Sequence, residues 1–122
     1  MNLRPVDARA ALGRRAESLV AAYLEGHGFG ILARNVRIGR LEIDIIARKP
    51  GLIVFCEVRA LSSDRLMSPA HTIGARKVQR VRSAAAAWLH DAKLTATDVR
   101  FDAAAVVFDT PAGRIDYYEG AF

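Results

Sequence analysis

With 122 residues and a hydrophobic fraction of 52%, the chain suits a single compact domain spanning 1–122 with an ordinary core, and leaves no room for a second. Eighteen Lys and Arg against thirteen Asp and Glu give a formal charge of +5, which makes a polyanion such as DNA a natural partner without requiring one. The single Cys56 excludes an internal disulfide and reads as a buried thiol in a reducing, cytoplasmic setting; no apolar run approaches the ~20 residues of a membrane span and MNLRPVDARA lacks the apolar stretch of a secretory signal, so no membrane association is expected.

From Val6 to Glu25 the apolar residues Leu12, Ala16, Leu19, Val20 and Tyr23 recur at helical spacing, and Gly26 and Gly28 end the pattern. A short strand, Phe29 to Val36, leads to a turn near Gly39. Leu41 to Arg48 and Leu52 to Leu61 read as two further strands joined at Pro50-Gly51. After the polar segment SSDRLMSPAHT, in which Ser68-Pro69 is a plausible helix start, Ile73, Val78, Val81, Ala85, Trp88 and Leu89 mark the inward face of a second helix. The AAAA run at 84–87 favours that helix. Val99 to Phe108 is a fourth strand, 110–113 a turn, and Arg114 to Tyr118 an edge strand. The order αβββαββ predicts an α/β fold with a mixed sheet flanked by helices, because a helix between strands usually carries a crossover.

Three acidic residues interrupt the apolar strands. Alternation puts Leu41, Ile43 and Ile45 on one face of the second strand and Glu42 and Asp44 on the other, while Glu57 shares a largely apolar row with Ile53, Phe55 and Arg59. A symmetric turn at Pro50-Gly51 pairs residues whose numbers sum to 101, setting Asp44 against Glu57 and Glu42 against Arg59. Like charges directly opposed, about 5 Å apart, destabilise a sheet unless a cation or a proton neutralises them. Two readings stand. A divalent metal such as Mg²⁺ would be held by Asp44, Glu57 and the Val58 carbonyl, since it takes oxygen ligands and keeps several waters. Alternatively, Glu42 and Arg59 form a cross-strand ion pair and Asp44 or Glu57 points to solvent at a sheet end.

An acidic residue followed across a turn by Glu-x-Lys resembles the PD-(D/E)XK nuclease superfamily, and LEIDIIA with FCEVR resembles the YraN-like family within it. The likeness extends through AESLVAAYL at 16–24, GFGILARNVR at 28–37, Lys77 and RFDAAAV at 100–106. It implies a restriction endonuclease-like fold akin to archaeal Holliday-junction resolvases, and hydrolysis of phosphodiester bonds in DNA, with a structure preference and a homodimer as further expectations. It further implies that Mg²⁺ or Mn²⁺ is bound by Asp44, Glu57 and the helix residue Glu17, with Glu42 either a neighbour of that shell or a surface partner of Arg59. The metal would lower the pKa of a water and stabilise charge on the phosphate.

The sequence departs from the pattern at one position that matters. Arg59 stands where the superfamily has lysine, and a guanidinium cannot give up its proton, although it can bind phosphate in a bidentate way. Lys77, at the margin of the inward face of the second helix, is a candidate substitute; the other reading is a solvated helix lysine. Arg34, Arg37 and Arg40 beside the first turn, and Arg76 and Arg80 on the second helix, are candidate phosphate contacts or a plain basic surface. Arg100 and Asp102 read as a structural pair. His27, His71 and His90 lack zinc-like spacing. Two functions remain open: a metal-dependent DNA endonuclease using Asp44, Glu57, Arg59 and Lys77, and a nucleic-acid-binding or protein-interaction module that kept this fold and lost its chemistry.

Overall fold

The structure, a computed structural model, describes residues 5–61, 74–95 and 98–122. Two helices, α1 (Pro5–Gly26) and α2 (Ala75–Asp91), flank a sheet of five strands: β1 (Gly30–Ile38), β2 (Leu41–Lys49), β3 (Leu52–Leu61), β4 (Asp98–Val107) and β5 (Arg114–Tyr118). The spatial order is β1-β2-β3-β4-β5. Only β3 and β4 run parallel, the connection that α2 spans; the other pairs are antiparallel. This is the mixed α/β architecture expected from the order of elements. The expected helix start at Ser68-Pro69, together with Ile73 and His71, lies outside the described residues, and α2 as described opens after Gly74. Among the described residues no helix is long and apolar enough to cross a membrane.

Each face of the sheet carries its own core. On one side Ala16, Val20 and Leu24 of α1 pack on Ile45, Ala47, Val54, Cys56, Ala104 and Val106. On the other, Val81, Ala84 and Ala85 of α2 cover Ile46, Ile53, Phe55 and Phe101. Phe55 stacks on Phe101 and meets Trp88 edge-on; burying such a side chain stabilises the fold by roughly 1.5–3 kcal/mol. Residues 101–107 of β4 are all buried, as a strand with both faces covered should be.

The turns follow from their residues. Gly28, at φ 89°, closes α1: Phe29 N–H reaches the Leu24 carbonyl and Gly28 N–H that of Glu25, a double bond pattern that needs a left-handed residue at this point. Pro50-Gly51 connects Lys49 to its partner Leu52 with Gly51 at φ 80°, the conformation a proline-glycine turn requires of its second residue. The register from Lys49↔Leu52 to Ile45↔Cys56 therefore sums to 101 throughout, as predicted.

Alternation fails in β2. Ile45 joins the α1-side core, whereas Ile43 joins the α2-side core with Ile46, so the two do not share a face. The cause lies on the neighbouring strand. Pairs Arg34↔Ile45 and Val36↔Ile43 bracket Asn35 and Asp44, and Asn35 has φ 53°. Asparagine tolerates this left-handed conformation better than most residues. The ribbon rolls over at this step, and Asp44 sits where it rolls.

At the far edge, Asp102 is fully buried. It accepts two bonds from the Arg100 guanidinium at 2.9 Å, one from the Tyr117 hydroxyl at 2.5 Å and one from Gly120 N–H at 2.9 Å. These contacts tie β5 and the residues after it to β4, which makes the Arg100–Asp102 pair structural.

Candidate functional site

Beyond Ile45↔Cys56 the paired ladder of β2 and β3 ends, and one more step of the same register would bring Asp44 to Glu57. A side chain takes over from the backbone here: Asp44 Oδ2 accepts a hydrogen bond from Val58 N–H at 2.7 Å. An extended residue points its N–H and C=O to the same side of the strand, so the Val58 carbonyl faces the same gap. Asp44 is thus held at a fork between two strands.

Carboxylates gather around this fork. One oxygen each from Glu17 on α1 and Glu42 and Asp44 on β2 lie within 4.8 Å of one another. The predicted pairing of Glu42 with Arg59 falls beyond the end of the β2–β3 ladder; Glu42 stands opposite Arg37 of β1 and joins the acidic group. Glu57 approaches from β3 on the α2 side. Its Oε2 lies 3.8 Å from Lys77 Nζ, and its Oε1 is buried with no hydrogen-bond partner among the described residues.

Burial and mutual repulsion make these groups reluctant to ionise. Glu57 is pushed up to about 7, first by burial and then by the charge of Asp44, with Lys77 opposing. Asp44 is raised by burial and by Glu42, against the stabilising Val58 N–H. Glu17 is raised by burial and by Asp44, with the Arg34 guanidinium opposing. Each would accept a neutralising positive charge.

The cations divide into two groups. Of the two that bear on Glu57, Lys77 acts more strongly than Arg59; Lys77 is about one-third exposed, and Arg59 lies exposed on β3. Lys77 also lines a cleft of about 1210 Å³ between α2 and the β1–β2 hairpin, which Asp44 and Glu57 reach from the sheet and which Arg40, Arg76 and Arg80 border. Arg34 and Arg37 are exposed on β1, outside that cleft, and Arg34 donates to Ser18 Oγ at 3.2 Å. Arg82 faces away, donating to the Phe122 carbonyl and stacking over Phe101.

The sequence model of the "Uncharacterised protein family UPF0102" matches residues 16–106, a span that contains every carboxylate of the cluster together with Arg59 and Lys77. The chain belongs to this family. Curated relatives agree: the "UPF0102 protein" of Anaeromyxobacter dehalogenans is 40% identical, over 95% of this chain and 87% of its own length. The relative named "UPF0102 protein sce2912", from Sorangium cellulosum, is 41% identical over 95% and 83%. "UPF0102 protein FRAAL5785" of Frankia alni is 38% identical over 94% and 97%. The UPF0102 family falls in the PD-(D/E)XK-like superfamily.

The UPF0102 site in this chain has oxygen donors suited to a hard divalent cation: carboxylate oxygens from Glu17, Glu42 and Asp44 lie within 4.8 Å of one another, and Glu57, which falls outside that group, and the Val58 carbonyl are the further oxygens on β3. The unpartnered Glu57 Oε1 is the oxygen such an ion would satisfy. The sequence left Glu42 with two roles and gave no site role to the cleft residues Gln79, Ser83 and Ala87. Their signal was present, because 76, 80, 83 and 87 recur at helical spacing along the same face as Lys77.

Proposed function

We propose that this chain is a metal-dependent endonuclease that hydrolyses phosphodiester bonds in DNA. What carries the reading is the group of carboxylate oxygens from Glu17, Glu42 and Asp44 within 4.8 Å of one another, close enough to Glu57 for the Asp44 charge to act on it, with Glu57 Oε2 at 3.8 Å from Lys77 and Glu57 Oε1 buried without a partner among the described residues. A Mg²⁺ or Mn²⁺ ion held by Asp44, Glu57, Glu17 and the Val58 carbonyl would lower the pKa of a water and offset charge on the phosphate. The protein's own groups supply the rest. Val58 N–H fixes the Asp44 carboxylate in one orientation. Lys77, beside Glu57 in the cleft, donates to a phosphate oxygen or to the attacking water, and an ammonium, unlike a guanidinium, can also exchange a proton. Arg59, exposed on β3 two residues beyond Glu57, adds charge for the phosphate.

A second reading is favoured by one observation, the arginine at 59. On that reading the chain binds nucleic acid or a protein partner and no longer cuts. Titration calorimetry with Mn²⁺ on wild type and Asp44→Asn, paired with cleavage assays on single-stranded, duplex, flap and four-way-junction DNA, separates the two. Metal binding and cleavage that both vanish in Asp44→Asn and Glu57→Gln support the endonuclease. Absence of metal binding in the wild type with DNA present would end it.

A further inference from the structure

We propose that the cleft between α2 and the β1–β2 hairpin receives an unpaired DNA strand, so that the substrate is presented to the carboxylates as single-stranded nucleotides and not as the outer backbone of an intact duplex. This names the substrate class of the endonuclease reading and rests on it.

The composition of the cleft carries the inference. A duplex turns its phosphates outward and keeps its base faces stacked inside, so a site built for duplex backbone needs cations and polar groups and gains nothing from apolar surface. Here three cations of the lining are exposed, Arg40 at the hairpin tip and Arg76 and Arg80 on α2, while a fourth, Lys77, lies against Glu57. Ile38, Leu41, Ala84 and Ala87 contribute apolar surface to the same lining. Phosphates held at the exposed arginines would leave the bases to that apolar surface, as in a groove that follows a single strand. The alanines matter because a larger side chain on α2 would fill the space. Gln79 and Ser83 offer hydrogen bonds to base edges from the same helix face. Among the described residues lining the cleft none is aromatic, so the contact they offer is by apolar area and tolerates any base. The same cleft reaches Asp44 and Glu57, which places a strand lying in it at the carboxylates.

The test measures binding apart from cleavage. Fluorescence anisotropy in Ca²⁺ compares the full chain with a labelled oligothymidylate, a duplex of equal length, and a strand of abasic sugar-phosphate units. Two variants of equal charge go alongside: Ala87→Glu in the cleft, and Ala86→Glu, also exposed on α2 but outside it. The oligothymidylate binds most tightly, and the abasic strand and Ala87→Glu each weaken binding by roughly tenfold, an amount that apolar contact with one or two bases supplies. Ala86→Glu stays close to wild type. Duplex binding as tight as single strand, an abasic strand that binds equally well, or identical losses in the two variants would overturn the proposal. Cleavage in Mn²⁺ is scored separately: preferential strand binding without any cutting removes the endonuclease reading and leaves the strand cleft, whereas Asp44-dependent cutting of a duplex that Ala87→Glu does not slow removes the strand cleft alone.

Discussion

Replacing Glu57 with glutamine should stabilise the metal-free protein, by an amount that grows as pH rises from about 4.5 to about 7. Glu57 stands at about 7 in the fold against 4.5 when unperturbed, because burial and the Asp44 charge disfavour its ionised form. Between those values the native state keeps a proton that the unfolded chain has released, so stability falls as pH rises from about 4.5 to about 7 and then levels off. At about 1.4 kcal/mol for each pH unit of displacement, the loss is roughly 3 kcal/mol. Glutamine has nearly the same shape and no charge to lose. It forfeits the 3.8 Å contact with Lys77, a partly exposed pair worth about 0–1 kcal/mol. Thermal unfolding followed by circular dichroism in EDTA should therefore give nearly equal midpoints for wild type and Glu57→Gln at pH 5. At pH 8 the variant should melt roughly 10 °C higher, taking about 4 °C per kcal/mol for a domain of this size. Added Mn²⁺ at about 1,000 times its Kd should reverse the order at pH 8, since it stabilises the wild type by about 4.1 kcal/mol. A wild type as stable relative to the variant at pH 8 as at pH 5 would refute the claim that Glu57 is held protonated by its surroundings.

Asp44→Ala should both abolish metal binding and cost about 1–3 kcal/mol in urea denaturation, because Val58 N–H is left without its acceptor; Asp44→Asn should keep most of the stability and still lose the metal. Lys77→Met should lower kcat at least tenfold, with Lys77→Arg restoring DNA binding but not turnover, and Arg59→Ala should have the smaller effect in the same cleavage assay. Asp102→Ala should destabilise by about 3–5 kcal/mol, since it strands a partly buried guanidinium and the Tyr117 hydroxyl, while activity per folded molecule is unchanged. Gly113→Ala should lower the melting midpoint, because Gly113 has φ 79° and a β-carbon there would lie 2.9 Å from Phe108 Cε1.

The succession of elements and the register around Pro50-Gly51 were legible in the sequence, the register because a short turn leaves few ways to pair its flanks, and the structure keeps the sum of 101 from Lys49 to Ile45. The same rule placed Asp44 near Glu57 without showing how they would meet. Strict alternation failed at Ile43, since nothing in β2 itself announces a roll that originates in the backbone of Asn35 across the ladder. Of the two roles open to Glu42, the ion pair with Arg59 extended the ladder past its end, and the place beside the proposed metal ligands is the one its position fits. Lys77 was visible as a marginal helix position, but its approach to Glu57 depends on how α2 crosses the sheet, which periodicity does not encode. Asp102 read correctly as a partner of Arg100; that it also gathers Tyr117 and Gly120 follows from the return of β5, a tertiary event with no local signature.

The bond from Val58 N–H to Asp44 has an evolutionary corollary. A side chain that both closes the sheet and would hold an ion cannot be discarded by a lineage that has stopped cutting, because the loss would loosen the fold before it silenced anything. Decay should instead begin at positions that hold nothing in place, and Arg59, exposed on β3 and without a hydrogen bond or ion pair among the described residues, is such a position. Among related chains, an intact aspartate at the fork is therefore a poor indicator of turnover; the residues at 57, 59 and 77 are the ones to compare with measured rates.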